Sequence, residues 1–430
     1  MSDRGHKGRI AFLGQYFPPE SGAPETSFDI AKGLTEIGYA VQVITALPNY
    51  PTGSIFPGYP KLRPVHEQVR SLPTTRAPLF PSHSSSSQGR IANYLSFAVS
   101  SSIVGRRYLS TSDINFIISS PATLDAVGLL YKAVAGRPYV LFVQDLWPDS
   151  VFATGFVKNS ALRTLAGTAL QHYSRATMKR AAAVIAISNP MRDTIIERGV
   201  TPERVHTVHN WAQETMFYPR DSNGILRNLL GLSETDFIFL FSGNVGPAQD
   251  LEPWVAAFMT HDLPLSAHLV IQGDGERKDV LRAKASGSKH IHFLPRRPLE
   301  EAVELEAGAD ALVVSLAQDP LFQMTIPSKI ANCLASGSLV VATVAGEPAR
   351  VLTESGAALV GEPGRVESVQ RLVKCVLDLT PELRREHAIR GRDFYLNHLG
   401  RGLGLHSLRN IVDASIAEAK RTDSDPRSDG

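Results

Sequence analysis

The sequence predicts an α/β protein made of two doubly wound, Rossmann-like parallel-sheet domains, and three observations carry that expectation. A chain of 430 residues is longer than one ordinary hydrophobic core supports. Apolar strand-like runs alternate with segments of helical spacing, the pattern that covers a parallel sheet with helices on both faces. The alternation stops at a linker, "WAQETMFYPRDSNG" (211–224), and then begins again.

The first array opens with "RIAFLG" (9–14) as a strand, "SFDIAKGLTEIG" (27–38) as a helix stopped by Gly38, and "AVQVITAL" (40–47) as a strand. Residues 48–90 are Pro-rich and then Ser-rich, which reads as a mobile surface loop or lid. "IANYLSFAVSSSIVGRRYL" (91–109) is apolar with Ser interruptions and ends in Arg106-Arg107, so it suits a buried helix or an interfacial one. "INFIISS" (114–120) and "YVLFVQD" (139–145) are β-rich runs of parallel-sheet type around a helical segment. A long helical stretch (160–181) leads to strands at 183–189 and 204–210. The second array begins with "FIFLFSG" (237–243) and continues through "LSAHLVIQGDG", "HIHFLP", "ALVVSLA" and "LVVATVA" as strands, with helices between and after them. The segment 421–430 is charged, lacks apolar anchors and is expected to be disordered.

Composition narrows the function. Apolar content of 43% and charged content of 20% are ordinary for a globular protein, and a net charge of +2 gives no bulk electrostatic case for nucleic acid. The two cysteines, Cys333 and Cys375, read as reduced thiols of a cytosolic protein, and no Cys/His cluster has metal-ligand spacing. "MSDRGHKGR" lacks a secretory apolar region and no run of 18 apolar residues occurs, so neither a leader nor a spanning helix is expected. The expected location is cytoplasmic, with peripheral contact at the inner face of the plasma membrane as the sharper reading of 91–109.

In open α/β sheets ligands bind beyond the carboxyl ends of the strands, and two such domains facing each other would place a site in the cleft between them. Unusual loops occupy those ends: "YFPPESGAP", "PNYPTG", "QDLWPDS", "GNVGPAQD" and "GDGER", with "IPSK" ahead of a later helix. Gly243 and Gly246 would let backbone NH groups approach a phosphate, or simply make a βα turn. A lysine in the first turn of a helix opposes the helix dipole, and a bound anion reverses that preference, so Ser328 and Lys329 suggest phosphate binding. Asp145 either caps the next segment or reaches the site to bind sugar hydroxyls or assist deprotonation. Glu20 is either a solvent-facing turn residue or an acceptor-side base. "GDGER" is too incomplete a dinucleotide fingerprint to support an NAD oxidoreductase.

Taken together, "YFPPESGAP", "ALPNYPTGSIFPGY", "QDLWPDSVFATGF", "SGNVGPAQDLEPWVAAF", "IQGDGER" and "IPSKIANCLASGSLVVATVAGEPARVL" resemble bacterial glycosyltransferases of family 4, which have the GT-B fold. The likeness is greatest to the subgroup that builds O-antigen and capsule chains, including the fucosamine transferase branch. The resemblance implies an acceptor-side domain over 1–215, rejoined by a helix near 400–420, and a domain over 216–399 that holds a nucleotide sugar, UDP- or GDP-linked. It implies retention of anomeric configuration, a lipid-linked glycan acceptor, and neither a metal nor another cofactor. By position it sets Gly243, Asn244 and Gly246 near the diphosphate, and Gly273, Asp274 and Arg277 along the nucleotide. Phe293, Leu294 and Pro295 would line the base pocket, Ser328 and Lys329 would meet the phosphates, and Gly22 and Ala23 would bring the first domain's loop to the donor. Two family glutamates are replaced here by Met324 and Asn332. Asn332 can still bond a ribose hydroxyl, whereas Met324 cannot replace a carboxylate. Gln144 stands where many relatives carry His, which excludes a base at that position. These departures keep two alternatives in view: a non-catalytic GT-B module that binds a sugar nucleotide or a partner enzyme, and a sugar-nucleotide epimerase.

Overall fold

The computed structural model describes residues 6–20, 22–82, 87–147, 149, 160–222 and 224–424. It divides into two compact units, residues 1–209 with 404–430, and residues 210–403. The expected Ser-rich loop tip, most of "PDSVFATGF" and residues 425–430 lie outside the described residues.

In the first unit the described strands form an eight-stranded sheet: β1 (Arg9–Leu13), β2 (Ala40–Ala46), β3 (Val65–Val69), β4 (Leu72–Ala77), β5 (Ile114–Ser119), β6 (Tyr139–Val143), β7 (Ala183–Ala186) and β8 (Val205–Thr207). Their order is β3-β4-β2-β1-β5-β6-β7-β8, parallel throughout except for the β3–β4 hairpin. β1, β5 and β6 are buried on both faces, which is why they read as unbroken apolar runs rather than alternating ones. The Ala23–Glu36 helix starts earlier than its apolar spacing indicates, because Pro24 is pre-set for a first-turn position.

The expectation of a mobile loop over 48–90 is corrected. β3 and β4 lie inside it, and β4 is an interior member of the sheet. The polar run "LPTTRA" hides a buried strand because Thr74, Thr75 and the fully buried Arg76 satisfy their polar groups internally. The Arg76 guanidinium donates to the carbonyls of Ala46 and Pro18 and pairs with Glu67. The last helix, Arg401–Ser424, is also longer than expected, so residues 421–424 are helical rather than part of a disordered tail. It packs on the first unit: Leu405 touches the position a side chain would take at Gly33, and Tyr39 donates to Asp413 at 2.5 Å.

In the second unit the described strands form a six-stranded, wholly parallel sheet: β9 (Phe237–Asn244), β10 (Ala267–Asp274), β11 (Ile291–Leu294), β12 (Ala311–Ser315), β13 (Val340–Thr343) and β14 (Ala358–Gly361), in the order β11-β10-β9-β12-β13-β14. Helices cover both faces, giving one apolar cluster around Ile238, Leu240 and Leu312 and another around Phe239, Phe241 and Trp254. The linker's Ala212 and Phe217 are buried in the first of these clusters, so that segment is anchored to the second unit.

Candidate functional site

In the first unit the carboxyl ends of β1, β2 and β6 gather an aromatic group. Tyr16 and Tyr50 meet edge to face with centroids 5.6 Å apart, and Tyr94 lies 6.4 Å from Trp147. Asp145 follows β6, is exposed, and accepts a hydrogen bond from Ser120 at 2.7 Å. Desolvation by the surrounding protein raises its pKa while the Ser120 bond opposes the shift. A solvent-reachable carboxylate beside aromatic rings has the chemistry of a hydroxyl-binding or proton-accepting group. Asp149 is held otherwise, in an ion pair with Arg198 at 2.5 Å.

Glu20 departs from the expectation of an acceptor-side base. It is 1% exposed, and its carboxylate accepts from the backbone NH of Asn49 at 2.7 Å, Tyr50 at 2.8 Å and Phe17 at 3.2 Å. Burial raises its pKa, and the three NH groups and Arg76 pull the other way. Glu20 therefore ties the β1 loop to the β2 loop, with its oxygens already engaged. Gly22 takes a positive φ of 90°, which a side chain tolerates poorly, and nothing lies within 4 Å of where its Cβ would be. Ala23 begins the helix that follows.

In the second unit the loops after β9 and β10 are bound to each other. Gly243 pairs with Gly273 and Asn244 with Asp274, and Val245 exchanges backbone bonds with Asp274 and Arg277. A Cβ on Gly273 would sit 1.7 Å from the Gly243 carbonyl oxygen, and one on Gly275 would sit 2.4 Å from that of Val245. These glycines let two backbones meet. Gly246 makes room for side chains instead: its NH and the Asn244 amide both donate to Gln249 Oε1. Lys278, fully turned inward, donates to the Gly273 and Leu294 carbonyls and braces the β10 loop. Arg277 is paired with Glu252, which also binds Lys284.

Lys329 stands against this loop pair. Ser328 begins the Ser328–Ala335 helix and is exposed, and Lys329 is its next residue. The Lys329 ammonium lies 3.4 Å from the centroid of the Phe241 ring and 3.3 Å from where a Gly243 Cβ would be. It is buried without a hydrogen-bond partner. Desolvation lowers its pKa to about 8, and Cys333 and Glu306 act to raise it. A buried amine with no acceptor is costly unless an anion completes it, which makes this the part of the unit most suited to a phosphate.

The base-pocket expectation is corrected in part. Alternation along β11 sends Phe293 and Leu294 to opposite faces of the sheet, and the Leu294 side chain is core. Phe293 is partly buried under Arg282, and Pro295 is exposed. Asn332 is half-buried one turn beyond Ser328, and Met324 ends the Pro320–Met324 helix. Reading the sequence missed Lys278, Glu306 and the Tyr16–Tyr94–Trp147 group. Lys278 was signalled only by its place beside "GDGER", and Glu306 lies among other acids of one helix with nothing to show which faces inward.

A model of the glycosyl transferase 4-like domain matches residues 21–211, and a model of glycosyl transferases group 1 matches residues 224–394. The chain is 29% identical over 368 residues to a putative colanic acid biosynthesis glycosyl transferase, WcaI, of Escherichia coli (strain K12), covering 83% of this chain and 88% of the relative. Its fold matches that of sucrose-phosphate synthase from Thermosynechococcus elongatus with a TM-score of 0.73 at 14% identity, covering 96% of this chain and 100% of that one. It also matches Anabaena HepE, solved in complex with UDP, with a TM-score of 0.69 at 16% identity, covering 94% and 100%. With one of these domain models on each unit and a shared two-sheet fold, the chain belongs to the GT-B glycosyltransferases.

Proposed function

We propose that the protein is a retaining glycosyltransferase that moves a sugar from a UDP- or GDP-linked donor to a lipid-linked glycan acceptor in cell-surface polysaccharide biosynthesis. The observation that carries the donor half is the unpartnered Lys329 ammonium beside Gly243. As the glycosidic bond breaks, negative charge grows on the departing diphosphate. Lys329, the NH groups that open the Ser328–Ala335 helix and the Gly243–Gly246 loop would stabilise it, with no metal or further cofactor assigned a part. Asp145 is the acceptor-side candidate. The E. coli relative's name supports a role in surface polysaccharide, and the UDP complex of the Anabaena protein supports a nucleotide donor.

Contact with the membrane is part of the same reading. Among the described residues no helix is long and apolar enough to cross a bilayer. The Ser87–Val104 helix nevertheless exposes Ile91 (47%), Leu95 (52%), Val99 (61%) and Ile103 (69%) at four-residue steps, followed by exposed Arg106 and Arg107. An apolar stripe ending in two arginines suits an anionic leaflet. Flotation with phosphatidylglycerol vesicles should carry the wild type, and Leu95→Glu/Val99→Glu should stay at the bottom. Equal flotation of both would remove this face from the proposal.

Transfer itself is tested by incubating the protein with a panel of nucleotide sugars, with and without lipid-linked acceptor. Acceptor-dependent nucleotide release, with the anomeric configuration of the product read by NMR, is the expected result. Binding without turnover across the panel favours the non-catalytic module, for which Met324 and Asn332 in place of the two acids are the motivating observation. A changed sugar nucleotide without acceptor would indicate an epimerase.

A further inference from the structure

The loop after β9 brings two donors to one oxygen. The Gly246 NH donates to Gln249 Oε1 at 3.1 Å, and the Asn244 amide donates to the same oxygen at 3.3 Å. These bonds fix how both side chains are turned. A backbone NH can only donate, so Gln249 must point its carbonyl oxygen towards Gly246. That oxygen then faces Asn244, which must answer with Nδ2 rather than Oδ1. Gly246 lets the two side chains meet: a Cβ there would lie 2.8 Å from Asn244 Nδ2 and 3.2 Å from Gln249 Oε1. The backbone around Gln249 is held in turn from the end of β12. The Ala317 NH donates to the Ala248 carbonyl at 2.9 Å, and the Ser315 hydroxyl donates to that of Asp250 at 3.2 Å.

This arrangement decides which group of the loop can meet an anion. Gly246 is buried and its NH is committed to Gln249. Asn244 is exposed at the carboxyl end of β9, and an amide nitrogen that gives one hydrogen to Gln249 keeps a second. Asn244 directly follows Gly243, the residue against which the Lys329 ammonium stands. We infer that Gln249 is a positioning residue of the donor site: it aims the second N–H of Asn244 at an oxygen of the donor diphosphate, beside Lys329, and touches no substrate itself. The inference rests on the reading of Lys329 as a diphosphate contact. Its physical basis is preorganisation, because an amide already turned and held loses little rotamer freedom when the anion arrives. Without Gln249 Oε1 the Asn244 side chain would turn in water and could present its oxygen to the phosphate as readily as its nitrogen.

The test is calorimetric titration of the full chain with UDP and with GDP, alongside its midpoint in urea. The variants are Lys329→Ala, Asn244→Ala, Gln249→Met, Gln249→Glu and the double variant Asn244→Ala/Gln249→Met. Gln249→Met fills similar space without the acceptor oxygen. It and Asn244→Ala should each weaken binding by about tenfold, the scale of one hydrogen bond to a charged group. The double variant should lose no more than either alone, because both changes remove the same contact. Gln249→Glu keeps an oxygen for both donors and should keep the wild-type midpoint, but it sets a negative charge near the diphosphate. Its loss of affinity should therefore shrink as salt rises. If neither nucleotide binds the wild type, or if Lys329→Ala binds as tightly as wild type, the reading of Lys329 falls and takes this inference with it. If Lys329→Ala weakens binding but Asn244→Ala or Gln249→Met does not, or if their losses multiply in the double variant, Gln249 alone loses its role. Wild-type affinity of Gln249→Glu at low salt would remove it in the same way.

Discussion

Single residues show how far chemistry can be read before geometry is known. Lys329 and Asp145 stood out in the sequence because each is a charged residue at a strand's carboxyl end or a helix start, the edge where open α/β sheets bind ligands. Glu20 was equally conspicuous, but its role depends on which NH groups fold around it, and three of them do. Glu20→Gln keeps one acceptor oxygen and should retain most of the transfer rate, at reduced stability in urea. A loss of about a hundredfold in kcat with stability intact would restore the base role. Asp125 carries a pH signature the sequence did not reveal. It is fully buried beside Ser119 and Thr177, and desolvation raises its pKa from 3.8 to about 7. The folded state then holds this proton where the unfolded chain has lost it. Its contribution to stability is therefore complete below pH 3.8 and is lost as pH rises towards about 7. Asp125→Asn should flatten the fall in urea stability across that window, and an unchanged slope would show that another group controls it.

At the scale of elements, strands buried on both faces declared themselves as apolar runs, and helices by their spacing. β4 did not, because a strand whose core contribution is a hydrogen-bonded arginine has no apolar signature. The glycine loops after β9 and β10 were found for one reason and are built for another: Gly243 and Gly273 let two strand ends touch. Gly273→Ala places a methyl 1.7 Å from a backbone oxygen at a φ of 141°, so one strand end must move. It should cost more than about 2 kcal/mol of stability, since strained backbone alone costs about 1–3 kcal/mol, and should weaken nucleotide binding as well. Gly22→Ala, with open space around the site, should cost less. Equal midpoints in urea for the two variants would contradict the contact.

For the whole molecule, the restart of strand–helix alternation after 211–224 made two sheets legible, because each array must bury its own apolar faces. The attachment of the final helix was not legible from its own pattern: it depends on Gly33 accepting Leu405 and on the Tyr39–Asp413 bond, both remote in sequence. Family membership entered through loop motifs that lie at the strand ends of both units, and the chemistry narrows to the Lys329 amine, which is buried without a hydrogen-bond partner among the described residues. The most direct measurement is acceptor-dependent transfer by Lys329→Ala, with circular dichroism confirming that the variant is folded. A fall of about a hundredfold or more in kcat is expected, the scale seen when a charge stabiliser of the leaving group is removed. Wild-type kinetics in the folded variant would contradict it.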